Sequence, residues 1–441
     1  MQSGEVLRRV AFNMLDRLKG GKLNQIKQVN EYEIVNGITQ EYADRRISAL
    51  LSYAKENCPF YRKNYGTAET LQEFPVMTKG DFLARYDDVL SDLYRDGKQK
   101  TYKLSTSGST GTPFTVLCNQ DKMNRVNMNF ISVMELNGFR LGMKRGEFRA
   151  WIKGKNTISR MTSIKNNLIM VEISNMGDEA LEGICRQIEK QRIQVLVAYS
   201  SAMTALTSYL QRTGRDISRW AVEMIFTMGE GLPDTTYDAI EEVFDFSPVR
   251  SYGNNENGFI AVSLPWKRQV YTIDLYNFHV EILKMHSDEP AAPGELGRIV
   301  VTDFYNRAFP LIRYDTGDTG IMETEIDEEG RKHAYFTTIY GRKASMLYST
   351  SGEPLSMHVF MNILFCFQDV LSQGKCIQWE KDRYELVINA EPGQVDEDNM
   401  RREYRKYLGS DARIDITYVD EIPVQQSGKR MVCEQKCSEY M

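Results

Sequence analysis

Residues 104–113 read Leu-Ser-Thr-Ser-Gly-Ser-Thr-Gly-Thr-Pro. Glycines let successive backbone N–H groups converge on an anion, and small hydroxyls add donors around phosphate oxygens. The stretch is not a Walker loop, because no lysine follows Gly111. It predicts either a phosphate-binding loop or a plain Ser/Thr/Gly surface loop. The candidate phosphate ligands are Ser105, Thr106, Ser107, Gly108, Ser109, Thr110, Gly111 and Thr112.

Beyond residue 101, short β-rich runs alternate with helical stretches. The strand-like runs are FTVLC (114–118), LIMVEIS (168–174), QVLVAY (194–199), EMIFTMG (223–229) and GRIVVTDF (297–304), and the helical stretches include 178–192 and 200–213. This alternation predicts an α/β fold with layers around a largely buried sheet. The DEEG tetrapeptide at 327–330 predicts a hairpin turn.

A chain of 441 residues is too long for one ordinary core, so two domains are expected. Residues 1–340 form the predicted large N-terminal domain, which begins with about 100 mainly helical residues. Residues 341–441 form a predicted small, mobile α+β lid. Its expected order is a helix near 356–372, strands near 375–390, a helix near 396–408 and a final strand near 413–419.

Composition excludes several classes of protein. The net charge is −5 and no basic stripe alternates with aromatic residues, so nucleic-acid binding is not expected. Seven cysteines are scattered without a C-x-x-C pair, which is typical of reduced thiols in a cytosolic protein. No apolar run is long enough to span a bilayer and no signal peptide begins the sequence, so we expect a cytoplasmic protein.

Residues 5–19 form an amphipathic pattern, with Val6, Val10, Met14 and Leu18 near one face and basic residues on the other. Such a helix binds a membrane surface, binds a partner, or packs on its own domain. We expect the last of these, because it is the commonest arrangement.

Further motifs follow the Ser/Thr/Gly loop in a fixed order. They are Phe226–Gly231 (FTMGEG), Ser251–Glu256 (SYGNNE), Pro310–Asp318 (PLIRYDTGD), Gly341–Arg342 and Ile422–Lys429 (IPVQQSGK). Together they resemble the acyl-adenylate-forming superfamily over roughly residues 50–435. Within it, the chain length and the PLIRYDTGD segment look most like the phenylacetate-CoA ligase group and its CapK-like members, which are associated with capsular polysaccharide biosynthesis.

The resemblance implies a nucleotide site made from several motifs. Glu256 would hold Mg²⁺ against the ATP phosphates, since this hard cation prefers oxygen ligands. Asp318 would accept hydrogen bonds from the ribose hydroxyls, although nearby Asp315 and an ordinary D-T-G-D turn are alternatives. Tyr252 would stack on adenine or simply pack in the core. The other implied adenine and ribose contacts are Gly229, Glu230, Gly231, Ser251 and Gly253.

The same resemblance implies the catalytic groups. Lys429 would bridge the substrate carboxylate and the α-phosphate, and Arg342 would reach the ribose or phosphate with its planar fork. An exposed terminal-loop lysine and a salt-bridged arginine are the ordinary alternatives. Ser345 occupies the hinge position, where the family commonly has Asp or Lys, and the phosphate loop lacks the lysine of many members. The acyl pocket is predicted at Tyr199, Ser200 and Phe259.

The implied reaction is ATP- and Mg²⁺-dependent adenylation of a small-molecule carboxylate with release of pyrophosphate, with ATP in the crevice between the two domains. Acyl transfer to coenzyme A is the expected second step. The alternatives are transfer to an amine or hydroxyl in surface-polysaccharide biosynthesis, or a non-catalytic nucleotide-binding scaffold. A homodimer is compatible with this reading.

Overall fold

The computed structural model describes residues 3–105, 114–149, 151, 158–173, 176–342, 347–352, 354–355, 360, 363–364, 367, 370–371, 373–423 and 431–439. The chain divides into two compact units. The first unit contains Met1–Tyr199, Arg215–Gly229 and Pro248–Thr338, and the second contains Ser200–Gly214, Glu230–Ser247 and Ile339–Met441. The second unit therefore includes two internal segments that a single cut near residue 340 assigns to the large domain. The two-domain boundary at 340/341 stays a prediction.

The first unit begins with a helical region, as the sequence predicts. Its helices are α1 (Ser3–Leu18), α2 (Lys22–Asn36), α3 (Gln40–Asn57), α4 (Pro59–Tyr65), α5 (Lys79–Ala84), α6 (Tyr86–Val89) and α7 (Asp92–Arg95), with a 3-10 turn at Leu71–Glu73. Local signals set their ends. Thr39 caps α3 by accepting a hydrogen bond from the N–H of Tyr42 at 3.2 Å, and Pro59 occupies the first turn of α4.

A β-hairpin and a parallel sheet follow. The hairpin pairs β2 (Thr101–Ser105) with β3 (Thr115–Asn119) and leads into α8 (Gln120–Glu135). The parallel strands are β4 (Arg145–Arg149), β5 (Leu168–Glu172), β6 (Val195–Tyr199) and β7 (Met224–Met228), in the order β5-β4-β6-β7, with α9 (Arg160–Asn166) before β5 and α10 (Asp178–Gln191) after it. These strands and α10 confirm the predicted alternation of strands and helices.

The largest sheet belongs mainly to the first unit. Its strands are β1 (Ile38–Thr39), β8 (Ser251–Asn254), β9 (Gly258–Leu264), β10 (Lys267–Ile273), β11 (Phe278–Leu283), β12 (Gly297–Asp303), β13 (Tyr314–Ile326) and β14 (Arg331–Arg342). They follow the order β11-β12-β13-β14-β10-β9-β8, with β1 beside β14. The turn between β13 and β14 confirms the hairpin predicted at 327–330.

An aromatic core supports one side of this sheet. Phe82, Phe114 and Phe309 are fully buried, and Tyr314 packs among them with ring centroids 5.7 Å from Phe82 and 6.2 Å from Phe114. Buried aromatic rings contribute the largest apolar areas to a core. The core therefore fixes the start of β13 and the residue that follows the Ser/Thr/Gly loop.

The second unit contains helices α11 (Ser200–Thr213) and α12 (Asp234–Phe244) and the C-terminal elements. The latter are the strand pair β15 (Leu347–Tyr348) and β16 (Pro354–Leu355), and the mixed sheet β19-β18-β17-β20 made of β17 (Gln373–Glu380), β18 (Arg383–Asn389), β19 (Arg413–Tyr418) and β20 (Cys433–Gln435), with helix α13 (Glu397–Leu408). The expectation that 413–419 forms the final strand is wrong, because β20 follows it and pairs in parallel with β17. The helix expected near 356–372 lies largely outside the described residues.

Helix α1 packs on its own unit, as expected, but through its polar side and not through its apolar face. Val10, Met14 and Leu18 are exposed, whereas Glu5 and Asp16 are buried. The two acids find hydrogen-bond partners in the body of the first unit, so they determine which side of the helix faces inward.

Candidate active site

Strand β8 and the turn that joins it to β9 carry the Ser251–Glu256 motif. A Cβ atom at Gly253 would lie 2.3 Å from the carbonyl oxygen of Gly258, so only glycine allows these two backbones to approach. The side-chain oxygen of Asn254 accepts the N–H of Asn257 at 2.8 Å and closes the turn. Glu256 lies inside this turn and is only 4 % exposed. The sequence therefore builds a tight turn that holds a buried carboxylate.

Tyr314 fixes that carboxylate from β13. Its hydroxyl donates a hydrogen bond to Oε1 of Glu256 at 2.9 Å. Tyr314 lies within the PLIRYDTGD motif, but the motif alone does not assign it a role. The signal that points to Tyr314 in the sequence is its place in the same motif as Asp318.

Asp318 is joined to the same turn through Tyr252. The hydroxyl of Tyr252 donates to Oδ2 of Asp318 at 2.9 Å, and the N–H of Asp318 donates to Oγ1 of Thr316 at 3.2 Å. Gly317 between them has φ +76°, which suits glycine and turns the backbone ahead of the acid. Burial, and then the negative charge of Asp318, raise the pKa of Tyr252 well above its ordinary value, so the phenol remains a hydrogen-bond donor.

The two aspartates of this motif lie in different surroundings. Asp315 pairs with Arg298 at 2.6 Å and accepts the N–H of Gly317 at 2.9 Å. Arg313 of the same motif forms a two-point contact with Glu281 at 3.0 and 3.1 Å, so it supports the fold. Only Asp318 of the two acids contacts Tyr252 among the hydrogen bonds of the described residues. The structure thus gives Asp315 a structural role.

The Ser/Thr/Gly loop connects the two strands of the β2–β3 hairpin. Ser105 pairs with Thr115 across the hairpin, and their hydroxyls lie 2.8 Å apart. The side-chain amide of Asn255 donates to the carbonyl of Ser105 at 3.0 Å, which attaches the start of the loop to the Glu256 turn. Phe114 is fully buried just beyond the loop. Both ends of the loop are therefore anchored, while Thr106–Thr112 themselves lie outside the described residues.

The carboxyl ends of β6 and β7 bring further predicted residues to one edge of the parallel sheet. Tyr199 pairs with Met228 in register, and Gly229 follows with φ +75°. The hydroxyl of Ser251 donates to the carbonyl of Thr227 at 2.7 Å, which connects β7 to β8. Ligands of α/β sheets lie beyond the carboxyl ends of the strands, so this edge suits a small-molecule site.

Ser200, Glu230 and Gly231 belong to the second unit. There the carboxylate of Glu230 accepts the N–H of Ser201 at 2.9 Å, and the hydroxyl of Ser200 donates to the carbonyl of Glu230 at 3.2 Å. An acid at the first turn of a helix is stabilised by the unpaired N–H groups and the helix dipole. Glu230 therefore has a structural explanation at the start of α11.

Phe259 is half-buried in an aromatic cluster of the first unit. Its ring stacks on Phe130 at 5.3 Å and meets the edge of Phe226 at 5.3 Å. Of the remaining predicted residues, Arg342 is the last residue of β14, with no described side-chain placement. Ser345 and Lys429 lie outside the described residues.

A buried cation lies behind the Glu256 turn. The ammonium group of Lys122 donates to the carbonyl of Asn257 at 2.7 Å and pairs with Asp303 at 2.7 Å, with all three residues buried. A paired buried charge is tolerated where hydrogen bonds satisfy both groups. Sequence reasoning missed Lys122, because its two partners lie more than 130 residues away in the chain.

The described residues contain no cluster of three or more His, Cys, Asp or Glu side chains that could form a metal cage. Glu256 is the one acidic residue in the sequence of residues 251–257. Next to it, the side-chain nitrogen of Asn254 and both side-chain polar atoms of Asn257 are buried without hydrogen-bond partners in the described part of the chain. Such atoms are satisfied when water or a polar ligand adjoins them.

A cleft of about 440 Å³ lies elsewhere in the first unit, among α4, α5 and α6. Its lining includes Phe60, Tyr65, Met77 and Arg85, and none of the residues predicted for the active site. The guanidinium of Arg85 lies 5.7 Å from the ring centre of Phe60. The volume of a cleft alone therefore does not identify the active site of this chain.

Comparisons with known proteins were made by sequence and by structure. No protein-family model matches the chain. Protein CapK of Staphylococcus aureus is 24 % identical over 411 residues, covering 88 % of this chain and 88 % of that protein. The phenylacetate-coenzyme A ligase of Thermus thermophilus is 22 % identical over 316 residues, covering 69 % of this chain and 70 % of the ligase. A solved 2-hydroxyisobutyryl-CoA ligase in the postadenylation state, with R3-HIB-AMP, matches with a TM-score of 0.70 and 14 % identity over 89 % of this chain and 88 % of that one.

Proposed function

We propose that this chain, a member of the acyl-adenylate-forming superfamily in the branch of CapK and the phenylacetate-CoA ligases, activates a carboxylic acid with ATP and passes the acyl group to coenzyme A. The observation that supports this most is the meeting of three separate segments. Ser105, Tyr252, Glu256 and Asp318 are connected by hydrogen bonds through Asn255 and Tyr314 in one unit.

In the proposed nucleotide site, the acid Asp318 accepts hydrogen bonds from the ribose hydroxyls, and Tyr252 holds its carboxylate in place. Gly229, Ser251 and Gly253 allow the backbone to approach adenine closely. Ser105 and the following loop residues surround the leaving phosphates with N–H and hydroxyl donors. This loop has no lysine after Gly111, so its hold on the phosphates rests on the backbone and hydroxyl groups.

The residues near Glu256 fit a magnesium ion that is bound mainly by the nucleotide. Mg²⁺ usually takes one or two protein carboxylates and completes its shell with phosphate oxygens and water. Glu256 supplies one such carboxylate, oriented by Tyr314. The side-chain nitrogen of Asn254 and the side-chain amide of Asn257, which have no partners among the described residues, suit ordered water beside it. When bound, the ion would neutralise charge on the departing pyrophosphate.

Adenylation joins a carboxylate oxygen of the acid to the α-phosphorus of ATP and releases pyrophosphate. The two reactants are both anions, so a cation that contacts them in the transition state lowers the barrier. We assign that task to Lys429 and a supporting contact with ribose or phosphate to Arg342. Tyr199, Ser200 and Phe259 are the proposed walls of the acyl pocket, and Ser345 is the proposed hinge.

In the second half-reaction the thiolate of coenzyme A attacks the acyl carbon, and AMP leaves with the bridging oxygen. We propose a cytoplasmic location, where ATP and coenzyme A are available. Light scattering distinguishes a homodimer from a monomer.

The proposal is tested with a panel of aromatic, fatty, amino and sugar acids. Exchange of labelled pyrophosphate into ATP that depends on one acid, together with consumption of coenzyme A, is the expected result. Acid-dependent exchange and hydroxamate formation without consumption of coenzyme A would assign a different acyl acceptor. If ATP binds but no acid in the panel stimulates exchange, the chain is a nucleotide-binding scaffold and the proposal is wrong.

A further inference from the structure

Helix α1 turns its polar side toward the protein. Glu5 is 1 % exposed and accepts hydrogen bonds from Arg140 at 2.9 Å and from Gln194 at 3.5 Å. Asp16 is also buried and accepts the N–H groups of Leu23 and Asn24 at 3.0 and 2.9 Å, so it caps α2. These anchors at both ends leave the opposite side of α1 facing solvent.

That opposite side is an exposed apolar stripe. Its side chains recur at three- and four-residue spacing along one helix face, and they are Leu7, Val10, Ala11, Met14, Leu15 and Leu18. Leu7 is 70 % exposed and Leu18 82 %. On α9, Met161 and Ile164 are exposed too, and Nε of Arg8 lies 3.4 Å from the carbonyl oxygen of Ile164. We call these eight side chains the α1 surface. Contiguous exposed apolar residues of this kind mark an interaction site.

Basic side chains surround the α1 surface. Lys144, Arg8 and Arg192 are three of them, and burial, then the charges of Arg8 and Arg192, lower the pKa of Lys144. Among the described residues none of the three has an ion-pair partner, so their charge is available to an anionic partner. Further exposed cations on or beside α1 and α9 are Arg17, Lys19, Arg160 and Lys165. The two acids of α1 are buried, so the accessible charge of this helix is positive.

We infer that the α1 surface binds in the plane of an anionic phospholipid bilayer, with the apolar stripe among the upper acyl chains and the basic rim on the headgroup phosphates. An amphipathic helix with a basic border is suited to that boundary. No helix in the described part of the chain is apolar and long enough to cross a membrane, so the contact would be peripheral. A second copy fits less well, because a two-fold interface would place the basic rims of both copies against each other. This inference is independent of the proposed catalytic activity.

Vesicle co-sedimentation of the full chain tests it, using phosphatidylcholine alone and phosphatidylcholine mixed with phosphatidylglycerol. We expect binding to the anionic vesicles that weakens at high salt. The triple variant Leu7→Gln, Met14→Gln and Leu18→Gln should lower the partition coefficient at least roughly 100-fold, because it removes most of the insertable apolar area. The matched control Leu93→Gln, Trp266→Gln and Ile326→Gln changes three exposed apolar residues elsewhere and should bind like the wild type.

A second pair of variants tests the charge. Arg17→Gln with Lys165→Gln should lower binding to anionic vesicles roughly 30-fold, at about 1 kcal/mol for each basic residue near the surface. Lys63→Gln with Lys381→Gln changes two exposed lysines elsewhere and should have little effect. Wild-type binding that is equal on neutral and anionic vesicles, or absent on both, would overturn the inference. So would a dimer in solution that the apolar triple variant dissociates, since the surface would then belong to a second copy.

Discussion

Tyr252 and Asp318 are joined by a 2.9 Å hydrogen bond from the phenol to Oδ2 of the acid. They come from β8 and β13, which are separated by 66 residues in sequence and lie in the same sheet. The bond connects two of the motifs identified in the sequence. Tyr252 therefore acts as a hydrogen-bond donor to Asp318 and not only as a ring that can stack. Because the phenol is buried, water does not replace the carboxylate as a partner for its hydroxyl if the acid is removed.

Replacing Tyr252 with Phe should weaken ATP binding. The variant keeps the ring and its edge contact with Phe336, but Asp318 loses a donor that fixes its orientation. A hydrogen bond to a charged group contributes about 1.5–3 kcal/mol, so KM for ATP in the exchange assay should rise roughly 10- to 100-fold. Tyr61→Phe is a matched control, since that buried hydroxyl donates to the carbonyl of Pro310. It should lower stability but leave KM for ATP nearly unchanged, and equal KM effects of both variants would contradict the assignment.

Glu256→Gln should abolish most of the magnesium-dependent exchange. Glutamine keeps the size of the side chain and an oxygen acceptor for Tyr314, but it loses the charge that attracts the cation. We expect kcat/KM to fall at least roughly 100-fold and the magnesium requirement to rise. The comparison variant Tyr314→Phe keeps the carboxylate and loses only its donor, so its loss should be roughly 10-fold. A Glu256→Gln enzyme with an unchanged magnesium titration would remove Glu256 from the metal site.

Lys122→Met should destabilise the first unit. It leaves Asp303 as a buried charge without its partner and frees the carbonyl of Asn257, at a cost of about 3–5 kcal/mol in the free energy of unfolding. Urea unfolding measures this. The double variant Lys122→Met with Asp303→Asn should recover much of the stability, because no isolated charge remains. Additive losses in the double variant would show that the two side chains do not act as a pair.

The free energy of unfolding of the chain should fall as pH rises through the range in which the carboxyl group of Asp274 titrates. Burial raises the pKa of this carboxyl from 3.8 to about 6, so the folded state binds its proton more tightly than the unfolded state does. The loss should begin near pH 4 and be complete above about pH 6, with a total of roughly 3 kcal/mol. Asp274→Asn cannot titrate, so its free energy of unfolding should change less with pH over this interval. Parallel pH profiles for the variant and the wild type would contradict the shift.

Sequence predicts the local structure of this chain well. Short β-rich runs predict β3, β5, β6, β7 and β12, and the turn at 327–330 follows from its Asp and Gly residues. Glycine is required at 253 because of the backbone of Gly258, which lies only five residues further along the chain. What sequence misses depends on distant partners. The direction of α1 is set by Glu5 and its contact with Arg140, 135 residues away, and the periodicity of the helix cannot reveal which face turns inward.

The same limit applies within the site. Asp318 was selected over Asp315 by motif spacing, and the structure adds the reason that Asp315 pairs with Arg298. Strand β20 is not predicted from the sequence because it has only three residues, too few to show a periodic pattern. It forms by pairing in parallel with β17, which is distant in the chain. The roles of Tyr314 and Lys122 likewise rest on contacts with the 251–257 turn, which only the folded sheet brings near them.

Lys429→Ala should stop adenylation without preventing ATP binding. Removing a group that contacts charge developing in the transition state costs roughly 100- to 1,000-fold in kcat. Calorimetry with ATP should give a similar affinity for the variant and the wild type. Lys381→Ala, which removes an exposed lysine of the same C-terminal region, should retain full exchange activity. Full activity of the Lys429→Ala enzyme would remove this residue from the mechanism.

The central claim is that a carboxylate oxygen of the acid becomes bonded to the α-phosphorus of ATP. An acid that supports exchange, labelled with ¹⁸O in its carboxylate, tests this in a single reaction with coenzyme A or hydroxylamine as the acceptor. The account predicts that the label appears in the phosphate of AMP, because attack at the acyl carbon leaves the bridging oxygen on phosphorus. Label in inorganic phosphate with formation of ADP, or AMP without label, would contradict it.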